Sequence, residues 1–187
     1  MGTILGGALT GDAVTPQGAR ITSAQKDAAH VTPDWQRLEE PIAGVNTREV
    51  RNLVTSNGLT TELFRKDWGI VDGDVTAMIY VTLRPGAVSA WHMHKLKTDH
   101  VFVVAGAIRA VLYDDRAESV THGKVDVVNL SPMRPMLVVI PPGIWHGFKV
   151  LGQEPGAFVN FFDREYDYDD PDDWRLPPST AEIPYQF

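Results

Sequence analysis

Between residues 49 and 162 the chain never runs far without a break. Short stretches rich in Val, Ile, Leu and Phe are cut by Ser56-Asn57-Gly58, Asp72-Gly73-Asp74, Arg84-Pro85-Gly86 and Pro141-Pro142-Gly143. Gly takes backbone angles that other residues avoid, and Pro fixes φ and lacks an N–H, so such clusters mark reversals of the chain. This punctuation leaves room for strands and little for helices: no window offers an amphipathic helix longer than about ten residues. The expected strands are 49–55, 60–66, 75–84, 88–94, 99–105, 107–114, 125–130, 135–140, 144–150 and 157–162. Alternation is clear in VTAMIYVTL and weaker in AIRAVLY. Short strands with turns between them predict an all-β sandwich or small barrel.

The flanks differ. Residues 1–45 are rich in Gly, Pro, Thr and Ala and show no sustained period, which predicts an N-terminal arm with a short turn near Pro33–Trp35. A barrel over 46–162 follows, and then DREYDYDDPDDWRLPPSTAEIPYQF. An acidic run is ordinarily a solvated one. Tyr166, Tyr168, Trp174 and Phe187 are too many large rings for that, so the tail 163–187 is expected to pack on the barrel or on a partner subunit.

The 187 residues suffice for one hydrophobic core. A net charge of −7 without a Lys/Arg cluster argues against nucleic acid or an anionic membrane as partner. No run has the length of a membrane span. The opening residues lack the basic and apolar regions of a signal peptide, which gives a cytoplasmic expectation. With no cysteine, a metal could be held only by histidines and carboxylates.

Three of the six histidines fall in WHMHKLKTDH. Side chains two apart in a strand share a face, so His92 and His94 project together and form half of a metal site. Trp91 and Trp145 each precede a candidate ligand and face away from it. Two outward tryptophans need a cover, the N-terminal arm or, preferably, a second subunit in a homodimer. His100 points opposite to Asp99 if its strand is regular. Otherwise His100 is the ligand and Asp99 is not.

From Gly86, five residues lead to His92-Met93-His94, four more separate His94 from Asp99, and six separate Asp99 from Gly106. Pro141-Pro142-Gly143 is followed by two residues and His146. These segments resemble the two motifs of the cupins, with Asp99 at the position of the usual Glu and Val150 at that of the usual Asn. The resemblance implies a double-stranded β-helix (jelly-roll) barrel with His92, His94, Asp99 and His146 on one divalent ion. Such a ligand set suits Fe, Mn, Co, Ni or Zn.

Within the cupins, Asp114, Arg116, Ser119, Thr121 and Gly123 resemble a segment of the dTDP-4-dehydrorhamnose 3,5-epimerases, and IPPGIWHGF resembles another. That family deprotonates a carbon beside a ketone with a histidine held by an aspartate, a tyrosine returns the proton, and a lysine steadies the enolate. Transferred by position, the histidine is His92, its partner is Asp170, the arginine position is Ser89, the lysine position is Asp99 and the tyrosine position is Asn160. Tyr166 and Tyr168 stand in as proton donors. A divalent ion in place of the lysine would serve the same enolate.

The expected function is therefore a metal-dependent isomerase or epimerase acting on a sugar, a nucleotide-sugar or another small carbonyl compound. The alternatives are an Fe- or Ni-dependent dioxygenase and a non-catalytic sugar-binding module. Arg51, Arg65, Arg109 and Arg116 are either receivers of an anionic substrate group or solvated surface residues.

Overall fold

The computed structural model describes residues 26–34, 37–71 and 73–187. Trp35, expected in a turn, lies outside them, while Val31 and Arg37 on either side form an isolated β-bridge. Residues 41–187 make one compact unit.

Among the described residues, the strands all lie in this unit. They are β1 (Asn46–Glu49), β2 (Asn52–Thr55), β3 (Gly58–Thr61), β4 (Ala77–Leu83), β5 (Val88–Met93) and β6 (Asp99–Ala105). The series continues with β7 (Ala107–Asp114), β8 (Val125–Leu130), β9 (Met136–Ile140), β10 (Ile144–Leu151), β11 (Gly156–Phe162) and β12 (Trp174–Arg175). One 3-10 turn, Lys66–Trp68, interrupts them. The expected strand 49–55 is divided, because Val50 donates its N–H to the Pro135 carbonyl before the chain turns into the β2–β3 hairpin. The expected strand 60–66 stops at Thr61, and β12 arises inside the acidic tail.

Two five-stranded antiparallel sheets, ordered β1-β9-β6-β11-β4 and β12-β5-β10-β7-β8, face one another as the all-β jelly roll of a cupin. Alternation sorts their side chains into layers. Val101, Val103, Ile108, Leu112, Val138 and Phe148 point inward to the core. On the outer face of the first sheet, Phe102, Leu137, Val139 and Phe161 are covered by Leu63, Phe64 and Trp68. On the outer face of the second, Trp91 and Val111 are covered by Leu176, Ile183, Tyr185 and Phe187.

That last layer corrects the expected cover for Trp91 and Trp145: it is the chain's own C-terminal tail. Leu176 and Trp91 exchange backbone hydrogen bonds, at 2.9 and 3.3 Å, and Phe187 packs 4.9 Å from the Trp91 ring. Gly147 makes this fit possible, since a Cβ there would stand 2.5 Å from Ala90 Cβ and 2.7 Å from the Phe187 ring.

The Asp114–Gly123 segment is a fastener. The buried Asp114 carboxylate accepts from Arg116 at 2.8 and 2.9 Å and from the hydroxyls of Ser119 and Thr121 at 2.6 Å. Arg116 in turn donates to the Ala43 carbonyl, and Thr121 accepts the Ala43 N–H, which pins the entry into β1.

Candidate functional site

A cavity of about 770 Å³ opens between the sheets, in the range of small-molecule sites. Antiparallel pairing of β10 with β5 sets His146 opposite His92, with ring centroids 5.9 Å apart. His94 follows the end of β5, and Asp99 enters from β6 on the facing sheet. All four line the cavity. His100, the next residue along β6, points the other way, stacked on Phe161 with its Nδ1 donating to the Phe161 carbonyl at 2.8 Å. The regular strand thus puts Asp99, and not His100, in the site.

Three of these residues converge. Donor atoms of His94, Asp99 and His146 lie within 4.8 Å of one another, and all three side chains are buried. Asp99 Oδ2 is 3.2 Å from His94 Nε2 and 3.1 Å from His146 Nε2. Both contacts are at ion-pair distance, and Oδ2 has no hydrogen-bond partner. Burial would raise the Asp99 pKa, but His146 and His94 outweigh it and hold the carboxyl well below the usual range. Its other oxygen is fixed by Asn160 on β11: Asn160 Nδ2 donates to Asp99 Oδ1 at 2.9 Å, and Asn160 Oδ1 accepts the His100 N–H.

The second nitrogen of each ring is committed to the backbone. His146 Nδ1 donates to the Ile144 carbonyl at 3.1 Å, and His94 Nδ1 to the Asp172 carbonyl at 2.5 Å. A carbonyl can only accept, so in each neutral ring the proton sits on Nδ1 and Nε2 carries a lone pair. Two lone pairs and a carboxylate oxygen therefore face one point. Protonating both rings would set two buried positive charges against Asp99, with Asp173 reaching only the His94 ring. One divalent ion satisfies all three donors, and imidazoles anchored through Nδ1–H to carbonyls are the usual outer arrangement of such a centre. The residues fit a metal.

His92 stands apart from this trio. Its Nε2 accepts from Ser89 Oγ at 3.0 Å and lies 3.4 Å from Arg175 Nη1. Burial first, then the nearby His146 and Arg175, push its pKa down to about 4, so the ring is neutral. His94 behaves oppositely: burial lowers its pKa, but Asp99 outweighs that and the net shift is upward.

The tail supplies the remaining neighbours. Asp170 donates its own N–H to Asp167 and does not border the cavity. The tail residues that reach His94 are Asp172, through its backbone carbonyl, and Asp173, through its carboxylate, two and three residues on. Asp173 Oδ1 is 3.2 Å from His94 Nδ1 and 3.3 Å from Lys97 Nζ. Tyr166 and Tyr168 line the cavity edge-to-face at 5.0 Å, with Tyr168 88% exposed at the mouth. The cations lining the cavity are Lys97, Arg164 and Arg175. Arg65, Arg109 and Arg116 bind instead to Asp67, Asn129 and the buried Asp114, away from the cavity, and Arg51 is exposed and not on the cavity wall. Sequence reasoning missed Lys97, Asp172 and Asp173, and met Asn160 without its bond to Asp99. Only Asn160, which falls at the position of the family's tyrosine, left a trace in the pattern.

Residues 39–185 match the family described as dTDP-4-dehydrorhamnose 3,5-epimerase. The chain is 36% identical over 137 residues to the probable low-salt glycan biosynthesis epimerase Agl13 of Haloferax volcanii, covering 73% of this chain and 88% of the relative. It is 34% identical over 146 residues to the spore coat polysaccharide biosynthesis protein SpsL of Bacillus subtilis, covering 78% and 96%. Among solved structures, a dTDP sugar isomerase from Desulfovibrio desulfuricans G20 superposes with a TM-score of 0.73 at 29% identity, covering 78% of this chain and 91% of that one.

Proposed function

We propose, for a chain that belongs to the dTDP-4-dehydrorhamnose 3,5-epimerase family, that it epimerises a nucleotide-linked sugar beside a carbonyl and does so with a divalent metal held by His94, Asp99 and His146. The family and the two polysaccharide-related relatives support the sugar. The metal rests on one observation: two Nε2 lone pairs, fixed by carbonyl partners, converge with an unbonded carboxylate oxygen. A bound ion would supply Lewis acidity to a carbonyl oxygen.

The chain's own groups do the rest. His92, neutral and on the same wall as His146, is placed to take a proton from a carbon acid once a substrate displaces the Ser89 and Arg175 contacts. Tyr166 and Tyr168, at the mouth, are the hydroxyls placed to return it. Lys97, Arg164 and Arg175 offer positive charge to a phosphorylated substituent or a developing oxyanion.

The proposal includes a homodimer. β4 is the outermost strand of its sheet, with Met78 and Tyr80 68% and 66% exposed, and the β2–β3 hairpin exposes Leu53, Val54 and Leu59. An edge with exposed apolar side chains is a surface for a second copy.

The deciding experiment is metal per chain on untagged protein, beside His94→Ala, His146→Ala and His92→Ala. Near-stoichiometric metal lost from the first two and kept in the third supports this ligand set. Loss only in His92→Ala, or full turnover by metal-free protein, overturns it. Two imidazoles and one carboxylate are also the ligands of iron(II) oxygenases. Oxygen uptake by the iron-loaded protein with sugar substrates would favour that second reading.

A further inference from the structure

The acidic tail reaches into the site at one place. Asp172 spreads its carboxylate over three consecutive backbone N–H groups, those of Lys95 (2.9 Å), Leu96 (2.7 Å) and Lys97 (3.3 Å). These are the residues directly after His94. The Asp172 carbonyl meanwhile accepts the His94 Nδ1 proton, and Asp173 bridges that ring to Lys97. The next two residues, Trp174 and Arg175, pair as β12 with Met93 and His92. One short piece of tail therefore grips His94 from its backbone side and its ring side together.

We propose that Asp172 is a positioning residue whose grip on residues 95–97 holds its own carbonyl against His94, locking the ring with its proton on Nδ1 and its lone pair on Nε2. Without the lock a neutral imidazole can place the proton on either nitrogen, and with the proton on Nε2 it can neither ligate an ion nor accept a substrate proton there. Asp173 adds an anionic acceptor to the same Nδ1–H, so both tail groups favour one tautomer. His146 obtains the same tautomer from its own strand, through Ile144, and does not need the tail. The inference deepens the metal reading of the site. It concerns the metal-free ring, however, and can be tested without an ion.

The test is the ring nitrogen spectrum of ¹⁵N-histidine-labelled, metal-free protein, recorded at a pH where His94 is neutral. In the wild type His94 should show a protonated Nδ1 and an unprotonated Nε2. In Asp172→Ala its two nitrogens should move toward the averaged values of mixed tautomers. His100, whose Nδ1 is held by the Phe161 carbonyl away from the tail, should not move and reports that the fold is intact. A wild-type His94 protonated on Nε2, or an unchanged His94 in Asp172→Ala, overturns the proposal. If Asp172→Ala also disturbs His100, the milder Asp172→Asn decides: a shift confined to His94 supports the lock, and no shift overturns it. Failure of the wild type to bind metal would remove the metal reading and leave this measurement standing.

Discussion

Asn160 on β11 donates to Asp99 on β6 at 2.9 Å, and the same amide accepts the backbone N–H of His100. Because a backbone N–H can only donate, the Asn160 amide has one orientation, and Asp99 is left with Oδ1 occupied and Oδ2 turned to the histidines.

On the proposed metal reading, Asn160→Ala should therefore weaken metal binding by about 10–100-fold, the usual cost of losing an outer partner of a ligand. Chelator competition would measure it. An affinity equal to that of the wild type would show that Asn160 does not orient the carboxylate.

The Asp114 fastener makes a prediction about acid. Burial would raise the Asp114 pKa, but the bonds from Arg116, Ser119 and Thr121 hold it far below the ordinary value. A carboxyl with a depressed folded pKa stabilises the protein above its unfolded pKa of about 3.9, and that contribution fades as pH falls toward the folded value. Asp114→Asn should cost about 1–3 kcal/mol at pH 7, toward the lower end because Arg116 is partly in solvent. Denaturation at pH 7 and at pH 3 should show the gap to wild type narrowing at the lower pH.

Gly147→Ala tests the tail's seat. The added methyl meets Ala90 and the Phe187 ring inside contact distance, and such overpacking costs about 1–3 kcal/mol. Its melting temperature should fall, and amide exchange at Leu176 should accelerate as the tail lifts from Trp91.

The edge of β4 tests the assembly. Tyr80→Lys places a charge on the exposed outer strand and should shift the protein from dimer to monomer in sedimentation while leaving its secondary structure unchanged. A wild type that sediments as a monomer at every concentration removes the homodimer from the proposal.

Much of the barrel was legible because turn residues and alternation act locally: strands 88–94, 99–105, 107–114 and 125–130 needed only their own residues. Alternation also separated Asp99 from His100. The partners of the site were hidden for the opposite reason. His94 is held by Asp172, 78 residues further on, and nothing in DDPDDW distinguishes the aspartate that bonds from its neighbours. Lys97 sits in a loop, where a lysine reads as solvated, yet it is buried beside Phe162 and Asp173. The epimerase-like pattern paired His92 with Asp170, but the course of the tail leaves Asp170 off the cavity wall and brings Asp172 and Asp173 to His94. Trp91 suggested the N-terminal arm or a second subunit as its cover, because the tail's apolar residues Leu176, Ile183, Tyr185 and Phe187 are too widely spaced to show which face of the barrel they meet.

The tail's double contact has a consequence for synthesis. The ribosome delivers residues 172–187 after every strand of the two facing sheets except β12. During translation the barrel can close while Trp91 lacks its cover and His94 lacks its carbonyl partner. Completion of the His94 environment therefore follows synthesis of β1 to β11, and a nascent polypeptide halted before residue 172 would have a barrel with an unfinished histidine.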